Sequence, residues 1–463
     1  MIRLFQVFVP TSVVGLVISE ALLATACYLS AFYLTGGISI DLYLLYGGGI
    51  AATLVVVGSI LLGIYFHDLY SEFRVLSRIY LMQQYCMIFG IAFLVQALLS
   101  YVDRTLILGR WHMIVGSALG LVSLPLWRMA YSEMVFTLLG REQVIFLGNS
   151  PLTLELGRYL RKRQEFALEP AGYLAAKPSP EAEAVLGEWL GEPADVQRVW
   201  RERRPGRLIV GLEERRGQLP VYELLELRLR GVVIEEAGAL YETVSGRVSL
   251  SALRPSHLIF SRRLGPAPHA LLFQRSYSLL LALAALLLVW PVMLAVAALV
   301  RLTSPGPALF RQRRVGYRGK AFEVLKFRSM YIDAEAKTGA VWAVRNDPRI
   351  TPLGRWLRRL RIDELPQFIN VLRGEMSIVG PRPERPEFVA MLTEQIPFYG
   401  HRHSALPGIT GWAQINHKYG DTIEDTKTKL EFDLYYLKHL SPSLDLYIIF
   451  HTVKVMLLGR GSQ

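Results

Sequence analysis

Two adjacent carboxylates, Asp363 and Glu364, follow Arg358, Arg359 and Arg361 in the stretch RRLRIDELPQFINVLRGEMSIVGPRPERPEF, residues 358–388. On a helix, neighbouring side chains point about 100° apart, so the two acids can serve different partners. The nearby arginines are expected to hold Asp363 ionised, which suits a nucleophile or a metal ligand. A hard cation such as Mg²⁺ takes a carboxylate together with substrate phosphate oxygens. An Asp-Glu pair beside arginines is ordinarily a solvated salt-bridge face. Here an apolar stretch and a rigid turn follow it, and these favour chemistry.

That turn is Gly380-Pro381-Arg382-Pro383. Its prolines fix φ on either side of Arg382, which limits the entropy lost when the guanidinium grips a phosphate. Upstream, residues 324–330 (VLKFRSM) read as a strand that presents Lys326 and Arg328 on one face by period two. Downstream, residues 407–416 (PGITGWAQIN) read as a glycine-rich turn entering an aromatic segment. Other reaction classes are poorly supplied, with no G-x-S-x-G elbow, no Ser/His/Asp order and no P-loop. The nine histidines show no metal-ligand spacing; His401 and His403, flanking Arg402, read as structural or polar surface. Cys27 and Cys86 lie in apolar stretches, which argues against a disulfide framework or a Cys-based metal site.

The elements that must position these residues begin in lipid. Hydrophobic residues make up 52% of the 463 and charged residues only 19%, against ~25% charged in soluble proteins. Four apolar runs, residues 9–34, 42–66, 79–101 and 111–131, each reach the ~20 residues that cross a hydrocarbon core as a helix. Arg3, Arg74, Arg78, Arg128 and Arg141 flank the ends expected in the cytoplasm, and residues 36–41 form an outer loop without positive charge, although the other outer loop holds Arg104 and Arg110. From residue 142 the composition turns soluble. Strand-like pieces at 144–148, 207–211 and 231–235 alternate with helical pieces at 152–163 and 221–229, which predicts a small parallel α/β domain. Its first turn, GNSPLTLELG, lacks the second glycine of a dinucleotide site, so a docking or regulatory role is expected there.

A fifth apolar run, residues 277–300, contains Trp290-Pro291. Proline removes a helical hydrogen bond and kinks or breaks the helix. A helix that enters and returns on one side keeps both soluble regions cytoplasmic; a kinked fifth span is the alternative. The net charge of +12 concentrates after this run: residues 305–361 hold fourteen Lys/Arg and four Asp/Glu, a surplus of ten. Such a segment suits anionic headgroups or phosphorylated ligands, and no aromatic platform or reading motif points to nucleic acid.

Taken in order, KFRSM, the run from Arg358 to Glu364, NVLRGEMSIVGPRP, PGITGWAQIN and KLEFDLYYLKHLSPSLDLYIIF closely resemble the bacterial sugar transferases, the monotopic polyprenyl-phosphate phosphoglycosyl transferases. The resemblance covers residues 273–461 and implies a large, exopolysaccharide-type member. The fold it implies is a membrane protein with α and α/β parts. A four-helix transmembrane bundle (1–140) is followed by a cytoplasmic Rossmann-like domain without an intact dinucleotide motif (141–265). A catalytic domain (270–463) carries a re-entrant, Pro-kinked helix at 277–300, with Trp290 and Pro291 at the kink. It further implies Asp363 and Glu364 as the catalytic pair. Lys326, Arg328, Arg358, Pro381, Arg382 and Pro383 would hold phosphate, and Mg²⁺ would sit at Asp363. The implied partners are a UDP-sugar, polyprenyl (undecaprenyl) phosphate and membrane lipid, with a homodimer among the assemblies. The implied location is the bacterial inner membrane with the active site facing the cytoplasm. Two positions depart from the family pattern: Trp290 stands where many members have Ser, and Leu406 where many have a basic residue. No selector for a particular sugar is visible.

Overall fold

Uninterrupted apolar stretches of 18 or more residues fold into helices because the backbone can satisfy its own hydrogen bonds only that way in a dry environment. The computed structural model describes residues 2–4, 7–35, 48–67, 69–70, 78–138, 141–163, 166–212, 219–253, 265–332, 334, 347–417 and 422–457. The chain divides into two compact units, Phe8–Glu235 with Met1–Arg3, and Glu236–Gln463 with Leu4–Val7. Two short strands, β1 (Ile2–Leu4) and β2 (Val7–Val9), precede the first helix.

The first unit opens with α1 (Thr11–Leu34), α2 (Gly49–Phe66), α3 (Arg78–Leu99) and α4 (Arg110–Leu138). All four are long and apolar enough to cross a membrane. Helix α1 packs on α4 and α2, and α3 on α2 and α4, around buried Tyr28, Ile60, Ile64, Tyr85 and Ile88. Gly116 allows the closest approach: a Cβ there would meet Tyr28 Cδ1 at 2.2 Å, the small-residue contact typical of membrane helices. A polar centre lies inside this bundle. Arg128 Nη1 reaches Glu20 Oε1 at 2.8 Å, Tyr85 donates to the same oxygen at 2.9 Å, and Arg128 also donates to the Leu69 carbonyl. Arg128, counted from sequence among the flanking charges, is thus a buried helix residue and carries no weight in the orientation argument. Residues 36–41 and Arg74, which that argument also used, lie outside the described residues.

The rest of this unit is a five-stranded sheet built from β3 (Glu142–Leu147), β4 (Leu168–Leu174), β5 (Glu188–Trp189), β6 (Arg207–Val210) and β7 (Val233–Glu236), connected through α5 (Pro151–Lys162), α6 (Pro180–Leu186), α7 (Val196–Arg203) and α8 (Val221–Leu229). The order is β5-β4-β3-β6-β7, and β3 pairs in parallel with both β4 and β6, as β4 does with β5. Numbered from its own first strand this is 3-2-1-4-5, a doubly wound order. The sequence pattern hid β4 because Pro170 sits inside it, where the register with β3 shifts between Val144 and Ile145. At the end of β3, Gly148 has φ +105°, and a Cβ there would come 2.8 Å from the Gly211 carbonyl.

In the second unit, helix α9 (Ala237–Ser245) packs beside the later helix α15 (Ile423–His439); Glu242 meets Lys438 at 2.7 Å and His439 at 2.6 Å. Residues 236–253, grouped with the α/β stretch from sequence, belong to this second unit. Helix α10 runs from Pro268 to Thr303 as one element, continuous across Pro291; Trp290 and Pro291 are both exposed on it. Its 36 residues extend about 54 Å at ~1.5 Å per residue. Only 11% of its most apolar window is buried. Its amino-terminal turns are tied down by a polar knot. Gln274 Nε2 donates to Asp445 Oδ2 at 2.9 Å and to the Val379 carbonyl at 3.2 Å, and Tyr277 and Tyr436 donate to the same carboxylate.

After α10 comes an antiparallel ribbon of β8 (Leu309–Val315) and β9 (Ala321–Phe327), in register from Leu309↔Phe327 to Val315↔Ala321. Then follow α11 (Pro352–Arg359), the 3₁₀ turn Ile362–Glu364, α12 (Gln367–Leu372), β10 (Ser377–Val379) and α13 (Pro386–Gln395). Strand β11 (Gly408–Thr410) pairs in parallel with β10, ahead of α14 (Trp412–Asn416), α15 and α16 (Pro442–Leu457). Trp412 stacks on Tyr435 at 5.6 Å and donates to the Gly246 carbonyl at 2.8 Å, so the glycine-rich turn is anchored in the core.

Candidate active site

Arg361 adopts a left-handed conformation (φ 55°) and starts the 3₁₀ turn that carries both acids. This tight turn, rather than a longer helix, buries Asp363 and Glu364 side by side, each 8% exposed. Their surroundings then diverge. Glu364 Oε1 accepts from Lys326 Nζ at 3.0 Å and Arg382 Nη2 at 2.8 Å, and its Oε2 lies 3.5 Å from Arg361 Nη1. Burial alone would favour its protonated form; Lys326, Arg382 and Arg361 more than reverse that and hold it far below the usual carboxylate range. Among the described residues the Asp363 carboxylate takes no hydrogen bond. Burial raises its pKa, the Glu364 charge adds to the rise, and Lys326, Arg358 and Arg382 oppose it. The expected effect of the arginines on Asp363 is therefore overridden, because burial and the adjacent Glu364 charge outweigh them.

The Pro-Arg-Pro turn is held by its backbone. The Pro381 carbonyl accepts from Gly408 N at 3.0 Å, that of Arg382 from Arg402 Nη2 at 2.9 Å, and that of Pro383 from Arg314 Nη1 at 3.1 Å. Gly380, Gly408 and Gly411 let the two chains touch: a Cβ on Gly408 would lie 2.1 Å from Gly380 N. Arg402 is buried and also contacts Asp433 Oδ2 at 2.8 Å and the Tyr399 hydroxyl at 2.6 Å. The prolines thus fix φ, and Arg402 fixes the direction of the carbonyl between them.

Lys326 lies on β9, but the strand ends at Phe327, so Arg328 stands just beyond it and not on a shared strand face. Arg328 turns instead to the carboxyl end of α10, where Nη2 donates to the Ser304 carbonyl and hydroxyl, both at 2.8 Å. Arg358 Nε donates to Ser329 Oγ at 2.9 Å.

All of these basic residues share one cavity of about 530 Å³ with Asp363 and Glu364. Its described lining has ten Lys or Arg (314, 326, 328, 349, 358, 361, 382, 385, 402 and 429) and four acids (363, 364, 384 and 433), a surplus of six positive charges. Of the proposed phosphate ligands, Lys326, Arg328, Arg358 and Arg382 line it; Pro381 and Pro383 are not among its described lining residues. Sequence reasoning missed Arg314, Ser329, Arg349, Tyr399, Arg402 and Asp433, whose relation to the acids arises only in the folded unit. Trp290 and Pro291 are not among the lining residues. Mg²⁺ fits the donor set in one way. Among the described residues no cluster of three or more His, Cys, Asp or Glu forms a protein-only metal site. Asp363 alone offers an uncommitted carboxylate, so phosphate oxygens and water would complete the shell.

Comparison with known proteins bears on the same unit. Residues 269–459 match the family model described as bacterial sugar transferase. The chain is 45% identical over 222 residues to an Aeromonas hydrophila UDP-N-acetylgalactosamine-undecaprenyl-phosphate N-acetylgalactosaminephosphotransferase, covering 48% of this chain and 52% of that one. It is 48% identical over 184 residues to the Escherichia coli UDP-glucose:undecaprenyl-phosphate glucose-1-phosphate transferase, 39% of each. The matched region thus spans about half or less of these two relatives. It is also 45% identical over 196 residues to an exopolysaccharide production protein of Rhizobium leguminosarum, covering 41% of this chain and 98% of that protein. The cavity and both acids lie inside the residues that the family model matches, and the chain belongs to the bacterial sugar transferase family.

Proposed function

We propose that the chain transfers a hexose 1-phosphate from a UDP-sugar to undecaprenyl phosphate, releasing UMP and polyprenyl-diphosphate sugar. The observation that carries this is the contrast between a buried, uncommitted Asp363 carboxylate and an adjacent Glu364 saturated by cations. Asp363 Oδ attacks the sugar-bearing β-phosphorus. The bond from that phosphorus to the bridging oxygen breaks, and UMP leaves with the oxygen. The resulting phosphosugar–aspartate ester is then attacked by an oxygen of the lipid phosphate, which forms the new diphosphate and frees Asp363. Two easier displacements replace one between two anions.

Lys326, Arg358 and Arg382 neutralise phosphate oxygens as charge develops. Asp363 would hold Mg²⁺, which would supply further positive charge beside the transferred phosphate. Glu364 keeps Lys326 and Arg382 in place. Helix α10, largely bare within the unit, re-enters the cytoplasmic face of the bacterial inner membrane and brings the lipid phosphate to the headgroup plane. The first four long helices form the transmembrane bundle, residues 1–140. The doubly wound sheet, within residues 141–235 and with its Gly148 turn, is a Rossmann-like docking domain without a dinucleotide. The product feeds exopolysaccharide synthesis. The names of the relatives include both glucose and N-acetylgalactosamine donors, and either sugar suits the cavity's charge. Incubation with UDP-sugars followed by intact-mass analysis tests the reading: one phosphohexose on the wild-type chain and none on Asp363→Asn is expected. UMP release with no adduct at any time would overturn the covalent step.

A further inference from the structure

Arg328, unlike Lys326 and Arg382, makes no contact with Glu364 among the described residues. One nitrogen closes the carboxyl end of α10 through Ser304 and, at 3.4 Å, the Val300 carbonyl. Its remaining two, Nε and Nη1, are buried and have no hydrogen-bond partner among the described residues, although the whole side chain is only 7% exposed. An orphaned buried guanidinium is costly unless a ligand completes it. Space for one is built in. Gly306, at φ +110°, lies against this group, and a Cβ there would come 2.3 Å from Nη1 and 2.5 Å from Ile332 Cδ1.

The surroundings say which anion fits. Phe310, Tyr331 and Ile332 line the same cavity and leave large apolar surface exposed. Leu299 and Leu302, on the last turns of α10, are exposed as well. A nucleotide diphosphate has no use for apolar surface on this scale, whereas a phosphate carried on a hydrocarbon chain has. Lys326 and Arg382 line the same cavity with Asp363 but are held on Glu364.

We infer that Arg328 is the binding site of the acceptor's lipid-borne phosphate monoester, separate from the cations that take the donor. This rests on the two-step reading above and assigns one residue to its second step. An oxygen of the monoester accepts from Nη1, while the hydrocarbon leaves past Phe310 and Ile332.

The test uses full-length protein in detergent micelles with undecaprenyl phosphate and whichever UDP-sugar supports UMP release. Arg328→Gln is expected to raise KM for undecaprenyl phosphate at least tenfold while KM for the UDP-sugar changes less than twofold. Arg328→Lys, which keeps the charge and one link to Ser304, should fall between it and wild type. Gly306→Ala, which crowds Nη1 without removing charge, gives a second route to the same KM change should the Gln variant fold poorly. Equal effects on both KM values in Arg328→Lys and Gly306→Ala would overturn the assignment. A donor-side effect alone would do the same and move Arg328 to the nucleotide. If wild type forms no phosphosugar adduct, the two-step reading itself fails, and that outcome is distinct from either.

Discussion

Two regions of this molecule bury a glutamate against arginine, and they do so to different ends. In the bundle, Glu20 meets one arginine and one tyrosine between helices, and both charged groups are essentially inaccessible. In the second unit, Glu364 meets Lys326, Arg382 and Arg361 on the wall of a cavity, beside a carboxylate that takes no hydrogen bond. The first arrangement is closed: each charge answers the other and only the packing of α1, α3 and α4 depends on it. The second is open: it has more cations than one carboxylate needs, and the excess faces empty space. A buried ion pair by itself says little about function. Surplus charge facing a cavity is what separates chemistry from assembly.

The largest expected effect would break the comparison at its open end. Asp363→Asn is isosteric and should lower UMP release by on the order of 10³-fold or more, the scale of losing a covalent nucleophile, without changing the melting temperature by more than a degree or two. Its raised pKa carries a sign. The ionised form attacks, so wild-type kcat should fall with acidification at a higher pH than for an ordinary carboxylate. A rate independent of residue 363 would reduce the cavity to another structural ion cluster.

The closed end should behave in the opposite way. Arg128→Met leaves Glu20 buried without its partner, which costs about 3 kcal/mol or more. Chemical-denaturant unfolding of the bundle should register this, while kcat per folded molecule stays within twofold. A variant of normal stability but low kcat would mean that the bundle takes part in the reaction.

Smaller effects sharpen the open region. Arg402→Lys keeps the pairing with Asp433 but cannot reach Tyr399, Asp433 and the Arg382 carbonyl at once. A roughly tenfold loss of kcat is expected, about 1.4 kcal/mol. It should vanish when Arg382 is already Ala, because Arg402 acts only through that turn. Full additivity of the two substitutions would show an independent role.

These residues also mark how far the sequence reaches. Asp363, Glu364 and Arg382 were legible because the acids adjoin and prolines bracket the arginine, so local chemistry alone singles them out. Lys326 could be found by its spacing on a strand. Arg402 was passed over between two histidines read as structural or polar surface, and Asp433 was hidden in a helix; their link to Arg382 needs α15 folded against the turn. Strand β8, LFRQRRV, was missed because arginines along it obscure the alternation that marks a strand. Helices were far more legible, since unbroken apolar length needs no partner to be seen. Even so, α10 starts at Pro268 and passes through Pro291, because a proline costs one hydrogen bond and a long helix retains the rest.

A third buried carboxylate tests the same contrast with neutral donors. Among the described residues the Asp445 carboxylate accepts from Gln274, Tyr277 and Tyr436, and burial, outweighing those donors, pushes its pKa up to about 6. Its unfolded value is about 3.9. A folded pKa above the unfolded one means that the native state holds the proton more tightly. The associated stability is present below about pH 4 and is lost as pH rises through about 6. The expected size is on the order of 1 kcal/mol across that window, or a few degrees in Tm. Thermal unfolding in detergent should therefore show the second unit melting lower at pH 7 than at pH 5, and Asp445→Asn should flatten that slope while Asp363→Asn leaves most of it. A slope of the opposite sign would mean that three neutral donors stabilise the anion as well as cations do. Burial without countercharge would then no longer separate this knot from the ion clusters.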